Sequence, residues 1–367
     1  MAQTYTYKYT DIPQWVAVKS LTCQGSQSWF SCYNISIFIL SRNIMASPSP
    51  TPVIISSEFL QTIPYSALID HFQDTLPSLL QKIKCPLRHA HSLSPSSTLL
   101  LMPAWNTSPG LPFAGVKLVT IFDHNSALNL PTVQATYNLF SSATGLPIAS
   151  IDGTHLTLLR TACLSALASK FLSNETSKVL VMVGAGALAP HLIKAHISAR
   201  PSLEKVIIWN RSPDKAASLA EQIDGYRGVV ALNCTDLAGV MPAGDIVCCA
   251  TSSEVPLVMG KLLKTGAHLN LVGSFKETMT ECDDEAVRRG LLVVDGAAAL
   301  EEAGEVVGAL KRGVIREDEV RFLTEVVAGG GGSAGSVKDV TVFKSVGSAA
   351  ADLLAAQLVY DIYTKKE

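Results

Sequence analysis

Charge is what this sequence has least of. Only 16% of its 367 residues are Asp, Glu, Lys or Arg, and 29 bases against 31 acids leave a formal net charge of -2. That offers no basic surface to follow a phosphate backbone, so no nucleic-acid partner is expected. Hydrophobic residues make up 48%, yet no run approaches the ~20 apolar residues that a membrane-spanning helix needs. The longest candidate near the start, Ile35 to Leu40, is far too short, and no membrane partner is expected. Eight cysteines stand at 23, 32, 85, 163, 234, 248, 249 and 282, with no C-x-x-C pair and no metal-ligand spacing. No metal site is expected, and free thiols in a reduced compartment fit best.

Residues 1–45 differ in composition from the rest of the chain. They are rich in Ser, Thr and Tyr and carry one acid, Asp11, with Lys8, Lys19 and Arg42 as the bases. Two readings stand side by side. One is a transit-like segment, Ser-rich and acid-poor but without the usual Arg, which points to a plastid. The other is an extension ahead of a start at Met45, which points to the cytoplasm.

The informative stretch is Lys178 to Arg211. An apolar run, Val179 to Val183, leads into Gly184-Ala185-Gly186-Ala187-Leu188-Ala189, a G-x-G-x-x-A turn. A helix-like segment, Pro190 to Ala199, and a second apolar run, Val206 to Trp209, come next. Strand, glycine turn, helix and strand in this order form the first βαβ unit of a dinucleotide-binding domain. Gly184 permits the tight turn, Gly186 lets a pyrophosphate approach the backbone, and small Ala189 lets helix and strand pack closely. After the second strand come Asn210-Arg211-Ser212, with no acid until Asp214. An acid there would take a ribose 2′-hydroxyl; Arg211 and Ser212 suit a 2′-phosphate instead. The expected cofactor is NADPH, with NADH as the alternative.

Before this unit the pattern predicts strands at 52–55, 98–102, 115–122 and 147–151, a helix over 65–84, and a hairpin corner at Gly145-Leu146-Pro147. This is an α+β unit with a mainly antiparallel sheet. A helix is predicted over 154–171. Short apolar runs at 231–232, 245–250, 268–272 and 291–295 continue a doubly wound α/β sheet. A flexible loop, 329–336, precedes a strand at 340–343 and a helix over 348–363 that is expected to return to the first unit. The resulting division is 46–153 with 325–367 as one domain and 154–324 as the nucleotide domain.

Several ordered stretches are similar to the ornithine cyclodeaminase/mu-crystallin family. They include Leu101 to Trp105, Val116 to Thr120, Leu159-Arg160-Thr161-Ala162, Val183 to Ala189, Ile208 to Arg211, Gly266 to Asn270, Ala303-Gly304-Glu305 and Val342 to Gly347. The resemblance implies a Rossmann domain joined to a substrate and dimerisation domain built from both chain ends, and a homodimer. It implies that Arg88, Lys117 and Arg160 hold a substrate carboxylate. A carboxylate beside a hydride acceptor must be oriented, and a bidentate guanidinium fixes its plane. Thr251 follows the 245–250 strand and is expected to line the nucleotide crevice, and the nicotinamide is expected to face the domain cleft near Val272-Gly273 and Ser345-Val346-Gly347. Where cyclodeaminases carry a Glu and a catalytic Asp, this chain has Leu100 and Phe275, which neither bind an ammonium nor move a proton. The pattern resembles the ketimine reductase branch. The implied substrate is a cyclic imino acid, piperideine-2-carboxylate or pyrroline-2-carboxylate, with Lys117 or a bound water as the candidate proton source. A cyclodeaminase or amino-acid dehydrogenase of the same family, and a non-catalytic nucleotide binder, are the alternatives.

Overall fold

The computed structural model describes residues 51–79, 82–106, 111–128, 130–330 and 338–366. The expectations for 1–45 and for most of the 329–336 loop lie outside these residues.

Two sheets organise the chain. The first contains β1 (Val53–Ile55), β2 (Ile83–Lys84), β3 (His89–Ser94), β4 (Ser97–Asn106), β5 (Phe113–Phe122), β6 (Val133–Ser141) and β7 (Pro147–Asp152). Its order is β1-β7-β6-β5-β4-β2, with β3 also on β4. Only β1 and β7 run parallel. The second sheet contains β8 (Val179–Val183), β9 (Lys205–Trp209), β10 (Val230–Cys234), β11 (Ile246–Cys249), β12 (His268–Leu271), β13 (Gly290–Val294), β14 (Arg321–Phe322) and β15 (Val340–Lys344). It is parallel throughout, in the order β10-β9-β8-β11-β12-β15-β13-β14. Strand order reverses between β8 and β11, the switch point at which open α/β sheets bind nucleotides.

The helices are α1 (Ser57–Gln61), α2 (Tyr65–Leu79), α3 (Gly153–Leu172), α4 (Ala189–Ala199), α5 (Pro213–Ile223), α6 (Leu237–Val240), α7 (Asp284–Arg289), α8 (Ala299–Glu302), α9 (Gly304–Lys311), α10 (Leu323–Ala328) and α11 (Ala349–Lys366). Helix α3 lies between the sheets and touches β5, β6 and β7 of the first and β12 and β15 of the second. Its sequence explains the position: from Thr161 to Ser169 it carries only small, apolar or hydroxyl side chains, so no face needs water. Asp152 caps its start by accepting from the His155 N–H at 2.7 Å. Helix α11 packs on α2 and α3 and on β4, β5 and β6.

Two predicted boundaries change. The helix predicted over 65–84 ends at Leu79, and Ile83–Lys84 pairs with β4 instead. Residues 340–344, expected in the first domain, form β15 between β12 and β13 of the second sheet. A mostly apolar run such as Val340 to Phe343, whose one hydroxyl, on Thr341, donates to the Leu172 carbonyl at 2.9 Å, suits a strand buried on both faces. The return to the first sheet starts only at α11.

Alternation on β5 sends Phe113, Gly115, Lys117 and Val119 inward. The opposite face pairs Leu101 with Leu118, Pro103 with Val116 and Trp105 with Ala114, an apolar surface on which Trp105 is 39% exposed. The C-terminal end of α3 is closed by Arg200, which donates from Nε to Ser173 Oγ at 2.9 Å and from Nη2 to the carbonyls of Ser169, Ser173 and Lys170. Replacing Arg200 by Met leaves those buried carbonyls without a donor and should lower unfolding stability by about 3 kcal/mol, read from the urea midpoint. A loss under about 0.5 kcal/mol, the level of an ordinary surface change, would show that the cap is idle.

Candidate active site

The glycine turn stands at the switch point. Gly184 has φ 107°, and a Cβ there would lie 2.6 Å from the Ala250 carbonyl oxygen. Packing of the β8 exit against the β11 exit therefore fixes this glycine. Gly186 differs: among the described residues, its chain neighbours aside, no atom lies within 4 Å of where its Cβ would point. The fold itself makes no demand there, and the open space is what an approaching pyrophosphate needs. Gly186 and Ala187 are exposed, and Leu188 offers no side-chain cap to α4. Pro190 has no N–H and the Ala189 N–H donates to the Gly186 carbonyl at 3.0 Å, so the N–H groups suited to an anion are those of the turn itself, Gly186, Ala187 and Leu188, just ahead of α4. Ala189 is fully buried, as close packing of helix on strand requires.

At the end of β9 the expected residues divide. Asn210 accepts from the Ala185 N–H at 3.1 Å and donates to the Ser212 carbonyl at 3.0 Å, so its side chain clips the glycine turn to the β9 exit. Arg211 and Ser212 are exposed. Arg211 makes no ion pair among the described residues, and Ser212 precedes α5 without capping it. A cation and a hydroxyl are left free beside the turn.

On the other side of the switch point, buried carboxylates hold the loops. Glu281 is fully buried. It accepts from the Thr251 N–H at 2.7 Å, the Thr251 hydroxyl at 3.0 Å, the Gly273 N–H at 2.7 Å and the Ser274 N–H at 3.3 Å. Thr251 thus stands at the crevice with its hydroxyl turned to Glu281. A Cβ on Gly273 would collide with the Thr251 backbone, so the β11 and β12 exits meet there, just after buried Val272. Asp295 does the same after β15, accepting from the Ser345 hydroxyl at 2.7 Å, the Gly347 N–H at 2.8 Å and the Val346 N–H at 3.3 Å. Buried Lys344 meets Glu305 at 2.7 Å and Glu281 at 4.0 Å.

The three expected cations fall into a pair and a single. Lys117 Nζ and Arg160 Nε each stand 2.8 Å from a different oxygen of Asp352, in the first turn of α11. Lys117 also donates to Thr157 Oγ1 at 3.4 Å. Lys117, Arg160 and Asp352 are all buried. Burial pulls the Lys117 ammonium down to about 8, with Asp352 opposing and Arg160 assisting. Burial would raise the Asp352 carboxyl, but the attraction of Arg160 and then Lys117 outweighs it and holds the group below its usual range. The Nη1 of Arg160 has no hydrogen-bond partner among the described residues. It points beneath Gly347, where a Cβ would come within 2.8 Å of it and where φ is 80°. Arg88 stands apart, with Nη2 2.8 Å from Glu302 Oε2. Arg88, Glu302, Gly347, Met102 and Asp295 line one cleft of about 260 Å³. Phe275 is 37% exposed with the Lys276 ammonium 5.7 Å above its ring, and His89 and His91 are exposed on β3.

Asp352, Glu281, Asp295 and Glu302 did not stand out in the sequence. Asp352 lies in an alanine-rich helix, Ala349 to Ala356, without a motif around it. A weak signal existed for Glu281 and Asp295, since both lie after or at the end of apolar runs at the strand exits where crevice residues collect. Among the described residues no cluster of His, Cys, Asp and Glu could hold a metal ion. No described helix is long and apolar enough to cross a membrane.

A parallel sheet with a free glycine turn at its switch point, and buried cations opposite the strand exits, defines a Rossmann-type nucleotide-binding architecture. The chain belongs to the ornithine cyclodeaminase/mu-crystallin family, whose profile matches residues 60–367. It is 50% identical over 320 residues to protein SAR DEFICIENT 4 of Arabidopsis thaliana, covering 86% of this chain and 98% of that one. Among solved structures it resembles the Thermococcus litoralis Δ1-pyrroline-2-carboxylate reductase in complex with NADH and L-proline. The TM-score is 0.80, with 30% identity and 86% and 98% of the two chains covered. It also resembles an archaeal alanine dehydrogenase dimer with bound NAD, with a TM-score of 0.77, 26% identity and 86% and 97% covered.

The two glycines should separate fold from binding. Gly184→Ala should lower stability by about 1–3 kcal/mol through backbone strain. Gly186→Ala should leave Tm unchanged while weakening nucleotide binding at least ~10-fold, or about 1.4 kcal/mol. Equal Tm losses in both variants, with unchanged nucleotide affinity for Gly186→Ala, would contradict this.

Proposed function

We propose that this chain is an NADPH-dependent reductase of cyclic ketimine carboxylates, converting piperideine-2-carboxylate to pipecolate and pyrroline-2-carboxylate to proline. The observation that carries the reading is the buried trio of Lys117, Arg160 and Asp352. Two cations and one carboxylate leave one positive charge, and the free edge of Arg160 lies under the loop after β15. A small carboxylate is the partner this arrangement suits. The relatives named as acting on or binding cyclic imino acids support the same chemistry.

When bound, a reduced nicotinamide supplies hydride. The glycine turn at the start of α4 would hold its pyrophosphate, and Thr251, Val272, Gly273, Ser345, Val346 and Gly347 border the space beside it. Arg211 would take the 2′-phosphate, with Ser212 beside it; this favours NADPH over NADH. Lys117 and Arg160 would orient the substrate carboxylate, and Arg88 closes the cleft. Phe275 at the exposed loop and Leu100 packed against the core disfavour amine chemistry of the cyclodeaminase kind. We infer a homodimer through the apolar outer face of the first sheet, where Leu101, Leu118, Val116 and Trp105 gather. An unpaired apolar sheet face of this kind is commonly covered by a partner.

The test is oxidation of NADPH by the purified protein with piperideine-2-carboxylate and with pyrroline-2-carboxylate. Turnover of at least one is expected; NADPH binding with no turnover of either would sink the reading. Lys117→Met should lower kcat/KM by roughly 100-fold, the cost of about 3 kcal/mol for truncating one member of a buried charge pair. In the unaltered protein the Lys117 charge is present below pH about 8 and lost above it, so activity should decline through that range. An unaltered pH profile in Lys117→Arg, whose charge persists, would remove Lys117 from that role.

Arg211→Ala should raise KM for NADPH about 10-fold, or ~1.4 kcal/mol, and leave KM for NADH unchanged. Equal changes for both nucleotides would count against 2′-phosphate recognition.

A further inference from the structure

Among the described residues, two carboxylates line the cleft above Gly347: Asp295 and Glu302. Asp295 is committed, with three donors from Ser345, Val346 and Gly347. Glu302 is not. Its ion pair with Arg88 is made at Oε2, a buried oxygen that receives no hydrogen bond, and among the described residues no hydrogen bond reaches Oε1 either. The side chain is 25% exposed, so one edge reaches water. Burial pushes the carboxyl up, against the pull of Arg88.

A charge count gives Glu302 a task. Lys117, Arg160 and Asp352 sum to one positive charge, which a substrate carboxylate neutralises. Arg88 and Glu302 sum to zero when Glu302 is ionised and to one positive charge when it carries a proton, the form from which it can donate. A cyclic imine that accepts hydride must also gain a proton on nitrogen, and Glu302 is the acidic group of this cleft with an oxygen to spare. We propose that Glu302 is the acid of the reaction, facing the imine nitrogen and delivering its proton. The assignment rests on the reductase reading of the site.

The step balances in atoms and electrons. Hydride adds to the ring carbon of the C=N bond, the π pair moves onto nitrogen, and the Oε1–H proton of Glu302 passes to that nitrogen. The product is a secondary amine. Glu302 remains as a carboxylate and regains its proton from water at the exposed edge. Arg88 stays on Oε2 throughout, which turns Oε1 towards the cleft. The amine then takes a second proton from water, and the ring ammonium so formed pairs with the Glu302 carboxylate until the product leaves.

The experiment compares Glu302→Gln and Glu302→Asp with the unaltered full chain. The amide of Gln still accepts from Arg88, so NADPH affinity should be unchanged in both variants. For Glu302→Gln, kcat with either imine should fall about 100-fold or more at pH 8, the lower range for loss of a general acid. Its rate should recover as pH is lowered and the imine arrives already protonated; Glu302→Asp should keep an intermediate rate. Independently of turnover, calorimetry should show L-proline or L-pipecolate binding at least 10-fold more weakly to Glu302→Gln. A raised KM with unchanged kcat and unchanged pH profile would mean that Glu302 only holds Arg88, and would overturn the proposal. If the unaltered protein reduces neither imine, the reductase reading itself falls, and the Glu302 assignment with it.

Discussion

A single buried carboxylate sets the terms for the rest of the molecule. Asp352 is shared by Lys117 from β5 and Arg160 from α3, each at 2.8 Å, with no exposure of its own. Withdrawing three charges from water is expensive, and only close pairing offsets it. The first turn of α11 helps, because the helix N-terminus favours a negative side chain there. Three elements must therefore meet at one point: the middle strand of the first sheet, the helix between the sheets, and the last helix of the chain. Without Asp352, two like charges would face each other in a low-dielectric interior. With it, one positive charge remains in excess, held still by its neighbours.

The nucleotide side is organised by the same means. Glu281 gathers the exits of β11 and β12 through four donors, and Asp295 gathers the turn after β15 through three. Lys344 and Glu305 pair beneath them. Loops held by buried, satisfied carboxylates keep one conformation, which reduces the reorganisation a bound nucleotide would otherwise impose. The glycine turn after β8 faces them across the switch point and is fixed by backbone packing at Gly184. One wall thus depends on electrostatics and the other on the absence of a side chain.

What was legible in the sequence was local. The glycine turn, most strands of the parallel sheet and α3 each announce themselves within a dozen residues, because apolar runs and turn glycines report short-range geometry; two-residue β14 was not read, and β15 was read as a strand but assigned to the other domain. Strand β3 did not: His89 to Ser94 is wholly exposed and lacks alternation. Strand β6 hid behind polar Gln134, Thr136 and Asn138, which face away from buried Tyr137 and Leu139. Arg88, Lys117 and Arg160 came from family resemblance, since nothing in their own neighbourhoods marks them. Asp352 and Glu302 were illegible for a more basic reason. Their meaning lies in partners distant along the chain, Arg160 and Lys117 for one and Arg88 for the other, and no periodicity encodes such pairings.

The position of β15 has a bearing on how the protein is made. It lies between β12 and β13, both synthesised earlier, and its last residue is Lys344. As the chain leaves the ribosome, the parallel sheet has a gap at its interior that only the closing stretch can fill. The exposed edges of β12 and β13 must wait for it, and non-local strand pairing of this kind is slow and open to aggregation. A chain released before residue 340 therefore lacks an interior strand of the nucleotide sheet as well as the helix bearing Asp352. Early termination would yield a protein without a complete half of either kind, so late frameshifts and nonsense changes should act as complete losses.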